Sequence, residues 1–193
     1  MKIENAFIYL IGIPAAGKYS TAKEIARLTG AKVIDNQLVN FPIFYIEGYD
    51  GTDRVRVSPE AWQHIGKIRK AVLSFICDHA PEGTNFAFTN VLEDAPGDRR
   101  LFRRIERIAL KRDGVFVPVF LTCDAAELRR RKRNPDRRER LKDIDTSNIR
   151  YWNEEFRGLS VTHPNALYID TTNSPPTQTA KQILRHTRGL LRL

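Results

Sequence analysis

The sequence predicts an α/β fold on a parallel sheet, and three observations carry that prediction. Five apolar runs of strand length are separated by segments whose apolar residues recur at helical spacing. Strands that alternate with helices in this way run parallel, joined by right-handed crossovers. Between the first run and the first helical segment lies a glycine-bounded loop closed by a lysine. No internal repeat or linker divides the 193 residues, so a single domain spanning 1–193 is expected.

The first strand is Ala6-Phe7-Ile8-Tyr9-Leu10-Ile11, followed by the loop and by a helix through Ala22–Leu28 that Thr29-Gly30 stops. Ala31–Asp35 reads as a short second strand ending in an acid. Asn36–Pro42 reads as a polar turn with a brief helix or loop, Ile43–Ile46 fits either regular structure, and Glu47–Asp53 is a loop. Ser58-Pro59-Glu60 starts a helix: serine caps, proline fits the first helical position, and an acid favours the first turn. That helix runs to about His79, with Trp62, Ile65, Ile68, Val72, Phe75 and Ile76 as its predicted buried stripe. Pro81-Glu82-Gly83 breaks it, and Asn85–Asn90 makes the third strand.

After a loop at 94–98, a basic amphipathic helix reaches about Asp113, its apolar side formed by Leu101, Ile105, Ile108 and Ala109. Gly114 ends it, and Val115–Leu121 forms the fourth strand despite Pro118, a residue that removes a ladder donor. Asp124 caps a short helix through Leu128, and a basic run, Arg129–Lys142, follows. A polar helix with Tyr151, Trp152 and Phe156 precedes the fifth strand, Asn165–Asp170. Thr171–Pro176 turns into a last helix to about Leu190. In parallel sheets ligands gather at the carboxyl ends of the strands. Residues 12–20, 35–40, 89–93, 123–124 and 170–175 should therefore share one rim.

Composition narrows the partners. A net charge of +9 and a pI near 9.8 favour anions: nucleotides, phosphorylated metabolites or nucleic acid. Cys77 and Cys123 lie in apolar runs without metal-ligand spacing and read as buried free thiols. The acid in Met1–Asn5 and the absence of a cleavage site argue against a signal peptide, and no apolar run approaches membrane-spanning length. A cytoplasmic protein without membrane contact is expected.

The loop Gly12-Ile13-Pro14-Ala15-Ala16-Gly17-Lys18-Tyr19-Ser20-Thr21 has the G-x-x-x-x-G-K form of a phosphate-binding loop. In that arrangement backbone N–H groups curl around a phosphate, the helix start adds partial positive charge, and Lys18 reaches the outer phosphates. Gly12 and Gly17 stand where a side chain would obstruct or φ must be positive. The strict motif puts Ser or Thr directly after the lysine as a Mg²⁺ ligand; here Tyr19 intervenes and Ser20 and Thr21 follow. Asp35 at the second strand's end can take a proton from an attacking hydroxyl or hold Mg²⁺ through water, or it can simply bond its own turn. Asn36 and Asn40 suit either a substrate or the turn. Nine of the fourteen residues Arg129–Lys142 are Arg or Lys. Such a run can close over a nucleotide as a lid, at about 129–146, and bring guanidinium groups to the transferred charge; it can also be a solvated helix.

With these residues the chain resembles the small P-loop kinases, a group that includes nucleoside monophosphate kinases, shikimate kinase and gluconate kinase, and similar bacterial P-loop ATP-binding proteins. The resemblance implies a three-layer α/β/α domain with a five-stranded parallel sheet of order 2-3-1-4-5, bound ATP and Mg²⁺, and phosphoryl transfer to a small molecule. In nucleoside monophosphate kinases the small hydroxyl likewise comes one step after the position following the lysine, where Ser20 stands. Asp35 falls where shikimate-type kinases carry a substrate or Mg²⁺ acid and chloramphenicol phosphotransferase its base. Arg130-Arg131 and Pro135-Asp136-Arg137 fall where lid arginines occur, and Asp170–Pro175 where the adenine is lined. The implied assignments are Lys18, Asp35, Arg131 and Arg137 for catalysis, and Ser20 and Asp35 toward Mg²⁺. Gly12, Pro14, Ala15, Ala16, Gly17, Lys18, Tyr19, Ser20, Thr21, Arg130, Thr172 and Pro175 are assigned to the nucleotide. Asp35-Asn36-Gln37 departs from the Asp-x-Asp of shikimate kinase, no Gly-Gly pair of its kind occurs, and the third strand ends Thr89-Asn90 without an acid unless Glu93 or Asp94 serves. The acceptor stays open. Two other readings remain: a polynucleotide kinase or nucleotide-dependent nucleic-acid binder, motivated by charge, and a nucleotide-binding regulator without transfer activity, motivated by Tyr19.

Overall fold

The computed structural model describes residues 3–191. Five parallel strands, β1 (Ala6–Gly12), β2 (Lys32–Asp35), β3 (Phe86–Asn90), β4 (Val115–Thr122) and β5 (Leu167–Asp170), form one sheet of order β2-β3-β1-β4-β5. In the centre, Phe7 pairs with Phe86 and Phe116, and Ile11 with Asn90 and Phe120. Helices cover both faces, giving the three layers expected from the resemblance.

Alternation along β1 sorts the two faces. Ala6, Ile8 and Leu10 point to an aliphatic layer with Val117 and Val119. That layer is closed by Ala22 and Ile25 of α1 (Lys18–Thr29) and by Ala180, Ile183 and Leu184 of α7 (Pro176–Leu190). Phe7, Tyr9 and Ile11 point the other way into an aromatic layer with Phe86, Phe88 and Phe116. There Leu73 and Ile76 of α3 (Pro59–His79) and Phe102, Ile105 and Ile108 of α4 (Pro96–Lys111) close the core. Each large side chain so buried contributes roughly 1.5–3 kcal/mol of transfer free energy.

Several expectations need correction. Asn36–Pro42 and Ile43–Ile46 form one helix, α2 (Asn36–Glu47), with Pro42 inside it. A proline at 42 deprives only the Leu38 carbonyl of its partner, and Leu38 is 61% exposed, where water can serve. Gly48 ends α2 in a left-handed conformation, with Tyr49 N–H donating to Phe44 O at 2.9 Å. In α3, Ser58 caps as predicted, accepting from Ala61 N at 3.1 Å. Trp62 and Phe75, however, are 47% and 61% exposed, while Ala61, Ile65, Leu73 and Ile76 are buried. Trp62 and Phe75 lie at the margin of the stripe that Ala61, Ile65, Leu73 and Ile76 centre, and Trp62 meets only the edge of Phe44 there. Cys77 is half-buried, whereas Cys123 is buried as expected. The polar helix around Tyr151 is a π-helical turn, Tyr151–Glu155, in which Phe156 N–H donates to Tyr151 O at 2.8 Å. Pro118 is accommodated because β5 pairs with β4 only from Val119 onward.

The basic run contains α5 (Ala125–Lys132) and a single turn, α6 (Asp136–Glu139). Polar bonds tie it down where apolar contacts are few. Lys132 is 1% exposed and donates to both oxygens of Asp143 at 2.9 Å, to Asp145 O at 2.6 Å and to Asn148 Oδ1. Arg137 donates twice to Asp143 O, at 3.0 and 2.6 Å. Among the described residues no helix is long and apolar enough to cross a membrane.

Candidate functional site

The carboxyl ends of the strands open onto one cleft of roughly 1360 Å³. Its floor is the β1–α1 loop. Gly17 takes φ 87° and Ala15 φ 68°, a left-handed alternation that turns successive N–H groups inward. The first helical bond of α1 runs from Thr21 N–H to Gly17 O at 3.0 Å, so the N–H groups of Lys18, Tyr19 and Ser20 begin the helix without an intrahelical acceptor. At the positive end of the helix dipole, such an arrangement suits an anion. Pro14, Ala15, Gly17, Lys18, Tyr19, Ser20 and Thr21 line the cleft; Gly12 and the fully buried Ala16 stand behind it. Gly12 is constrained by the sheet instead of by a ligand, because a Cβ there would run into the Leu121 carbonyl of β4. Ser20 is exposed at the mouth and Thr21 is buried below it.

Lys18 folds back onto the loop, donating from Nζ to Gly12 O at 2.6 Å and Ile13 O at 2.7 Å. Burial, reinforced by the charges of Lys142 and Arg137 and opposed by Asp35 and Asp143, pushes its pKa down to about 7.

Asp35 is 3% exposed at the end of β2. Its Oδ1 accepts from Thr89 Oγ1 at 2.5 Å; its Oδ2 accepts from Arg140 Nη2 at 2.7 Å and Lys142 Nζ at 3.1 Å. Burial pulls its pKa upward, but the Lys142 charge and the bonds from Thr89, Lys142 and Arg140 outweigh it and hold the carboxyl below its ordinary value. The Lys142 ammonium is in turn pushed down to about 8, by burial first, with Asp35 opposing and Arg140 and Arg137 adding. Both oxygens of the one fully buried acid on the cleft wall are thus engaged.

The predicted arginines divide. Arg131 binds the last loop and the first: Nη1 donates to Thr171 Oγ1 at 2.9 Å and Ala15 O at 3.4 Å, and Nη2 to Thr171 O at 2.6 Å. Arg130 is largely exposed and forks onto Glu127 with two bonds of 2.6 Å. Arg137 lines the cleft, its guanidinium held well inside by Asp143 O, and burial lowers its pKa. Thr172 lies in an Asp170 turn, accepts from Asp124 N–H at 2.9 Å, and lines the cleft together with Pro175. Of the predicted rim, 123–124 backs this last loop and does not line the cleft. Glu93 and Asp94 are not on the cleft wall either: Asp94 pairs with Arg99, and Glu93 bridges to Gly158.

The far half of the cleft holds a network of amides. Tyr9 OH donates to Asn90 Oδ1 at 3.0 Å, Asn90 Nδ2 to Asn36 Oδ1 at 2.8 Å, and Arg69 Nη2 to Asn36 Oδ1 at 3.0 Å and Asn40 Oδ1 at 3.3 Å. Asn40 continues to Gln37, whose amide donates to Arg140 O at 3.0 Å and Leu141 O at 2.5 Å. Arg69 is half-buried, its bonds go to neutral oxygens, and burial lowers its pKa despite Tyr9 and Asp98 nearby. Sequence reasoning singled out Asn36 and Asn40 and placed Thr89 on the rim, but it missed Arg69 and gave Arg140 and Lys142 no individual role. For Arg140 and Lys142 the available signal was membership of the basic run.

No protein-family model matches the chain, and no curated protein matches it. Solved structures do resemble it. A gluconokinase from Sinorhizobium meliloti aligns with TM-score 0.64 at 13% identity, over 100% of this chain and 96% of that one. Thymidylate kinase from Candida albicans gives 0.62 at 16% identity, over 97% and 93%. The Mycobacterium tuberculosis APS kinase in complex with AMPPNP and APS gives 0.59 at 12%, over 96% and 98%. At such identities the likeness shows the fold and nothing finer. The chain has the fold of the small P-loop kinases.

Proposed function

We propose that the chain is an ATP-dependent phosphotransferase acting on a small molecule that carries a hydroxyl and, beside it, an anionic group. The observation that carries the reading is convergence on one cleft: free helix-start N–H groups, Lys18, three arginines and Lys142 at one end, and the buried carboxylate of Asp35 between them and the Arg69 pocket. ATP, when bound, supplies the γ-phosphoryl group, with Mg²⁺ shielding its charge. The loop N–H groups and Lys18 hold the phosphates, Lys18 exchanging two carbonyls for phosphate oxygens. Arg131, Arg137, Arg140 and Lys142 bring charge to the transferred group. Asp35, released by Arg140 and Lys142, accepts the proton of the acceptor hydroxyl. Ser20, exposed at the mouth, would hold Mg²⁺ directly or through a water. Asp35 suits it only after the two cations leave Oδ2.

Arg69 gives the acceptor its chemistry. A half-buried guanidinium held by neutral amides keeps its charge available for a carboxylate or phosphate. Phe44, Tyr49 and Trp62 supply apolar walls nearby. An ADP-release screen over anionic and neutral alcohols tests this. Lys18→Ala should abolish release, and Arg69→Ala should raise KM for anionic acceptors at least tenfold. Full turnover by Lys18→Ala, or a screen answered by neutral alcohols with Arg69 indifferent, would refute it.

A further inference from the structure

Tyr19 occupies the position at which the strict phosphate-loop motif places Ser or Thr, and it does something a small residue cannot. The Arg140 guanidinium carbon lies 3.8 Å from its ring centroid and Lys142 Nζ 4.0 Å. Lys23 Nζ of α1 stands 5.5 Å from the same centroid. Arg140 Nη1 also donates to the phenol oxygen at 2.6 Å. Attraction of cations to an aromatic face is strongest where water is partly excluded, and Tyr19 and both partners are half-buried.

The backbone of 140–142 is shaped for this contact. Leu141 adopts φ 47°, a region a leucine rarely enters, and such outliers collect at binding and switching segments. The turn it makes throws Arg140 and Lys142 to one side, where both reach Tyr19 and Asp35. Gln37 holds the turn through the carbonyls of 140 and 141, and the Leu141 side chain packs against the cluster of Val39, Phe44 and Ile65. In this arrangement Arg140 leaves its Nε–H buried without a partner among the described residues. A buried donor of this kind is open to a further acceptor beside the ring, such as a phosphate oxygen or a water.

We infer that Tyr19 is a positioning residue: its ring seats Arg140 and Lys142 over the phosphate-binding loop, so that when Asp35 releases them they stay above the phosphates instead of swinging into solvent. Asp35 and Tyr19 share the same two cations, and only the carboxylate must give them up for the proposed reaction. The ring is therefore the lasting anchor, and the tyrosine is a gain in lid placement in exchange for a small hydroxyl. The inference rests on the kinase reading for its effect on nucleotide binding, but the seat itself exists without nucleotide.

Two measurements separate these. Amide hydrogen exchange in the nucleotide-free protein reads Leu141 and Lys142, whose N–H groups donate to Arg138 O and Arg137 O. AMPPNP affinity reads the consequence. Tyr19→Phe, which keeps the face and loses the hydroxyl bond, should shift both readouts in the same direction as Tyr19→Leu but by a clearly smaller factor. Tyr19→Leu should speed exchange at both amides and weaken AMPPNP at least tenfold, with KM for ATP raised accordingly. Tyr19→Ser, which restores a small hydroxyl directly after the lysine, should behave like Tyr19→Leu. Unchanged exchange in Tyr19→Leu, or a Tyr19→Ser protein that binds AMPPNP as well as wild type, would overturn the inference. Wild-type protein that does not bind AMPPNP would instead sink the kinase reading, while the exchange comparison would still decide whether the seat exists.

Discussion

On the proposed reading, the depressed pKa of Lys18 brings the pH-dependence of nucleotide binding down to near neutrality, where an ordinary lysine would stay charged up to about pH 10. In the free protein the ammonium is buried among Lys142 and Arg137 and loses its proton at about 7. Bound phosphates compensate that burial and keep the group charged, so binding takes up a proton wherever the free protein has lost it. With the free value at about 7 and the complex protonated throughout, affinity should fall about 15-fold between pH 7 and pH 8.5. Proton uptake should rise from about half a proton at pH 7 to nearly one at pH 8.5. Calorimetric titration of AMPPNP in two buffers of different ionisation enthalpy measures both quantities. The ligand titrates too, so the difference from Lys18→Met, in which only the ligand's titration and that of Lys142 remain, is the quantity of interest. A wild-type profile superposable on that of Lys18→Met would refute the reasoning.

Two further perturbations address the cluster around the cleft. Asp35→Asn leaves Arg140 and Lys142 without their carboxylate; these partners are part-exposed, so the loss should be about 2 kcal/mol, between exposed and buried pairs, or ~4–8 °C in Tm. Because the Asp35 carboxyl is held below its ordinary 3.8, its contribution is complete above that value and lost as the pH falls through the folded one, so Asp35→Asn should flatten the acid limb of wild-type stability; an unchanged limb would contradict the assignment. Lys132→Met removes the donor that gathers Asp143, Asp145 and Asn148, at a cost of roughly 3 kcal/mol, and should open Arg129–Lys142 to trypsin. Cleavage at the wild-type rate would show that this bond set does not hold the segment.

Local chemistry made much of this molecule readable from its residues. Gly12 to Lys18, the Ser58-Pro59 cap and the runs Phe7–Ile11 and Val115–Leu121 each carry their structure in a few neighbouring side chains, and the alternation of strands with helices orders the layers. The resemblance added the strand order, which no local pattern contains. What escaped depends on contacts between distant segments. Pro42 sits inside α2 where the carbonyl it leaves unpaired belongs to the exposed Leu38, and Trp62 lies half out of the core beside buried Ala61. Within the basic run every residue is a plausible inward cation; the choice of Arg140 and Lys142 follows from buried Lys132, the left-handed Leu141 and the Gln37 amide. Tyr19 looked like a departure from a motif because its partners lie more than a hundred residues away.

Phosphoryl transfer in this cleft requires that the β1–α1 loop hold the terminal phosphates of a nucleotide. A crystal structure with AMPPNP and Mg²⁺ tests this most directly. It should show phosphate oxygens against the N–H groups of 17–20 and Lys18 Nζ moved from the carbonyls of Gly12 and Ile13 onto them. Nucleotide bound elsewhere, or a loop left empty with Lys18 still on those carbonyls, would contradict it.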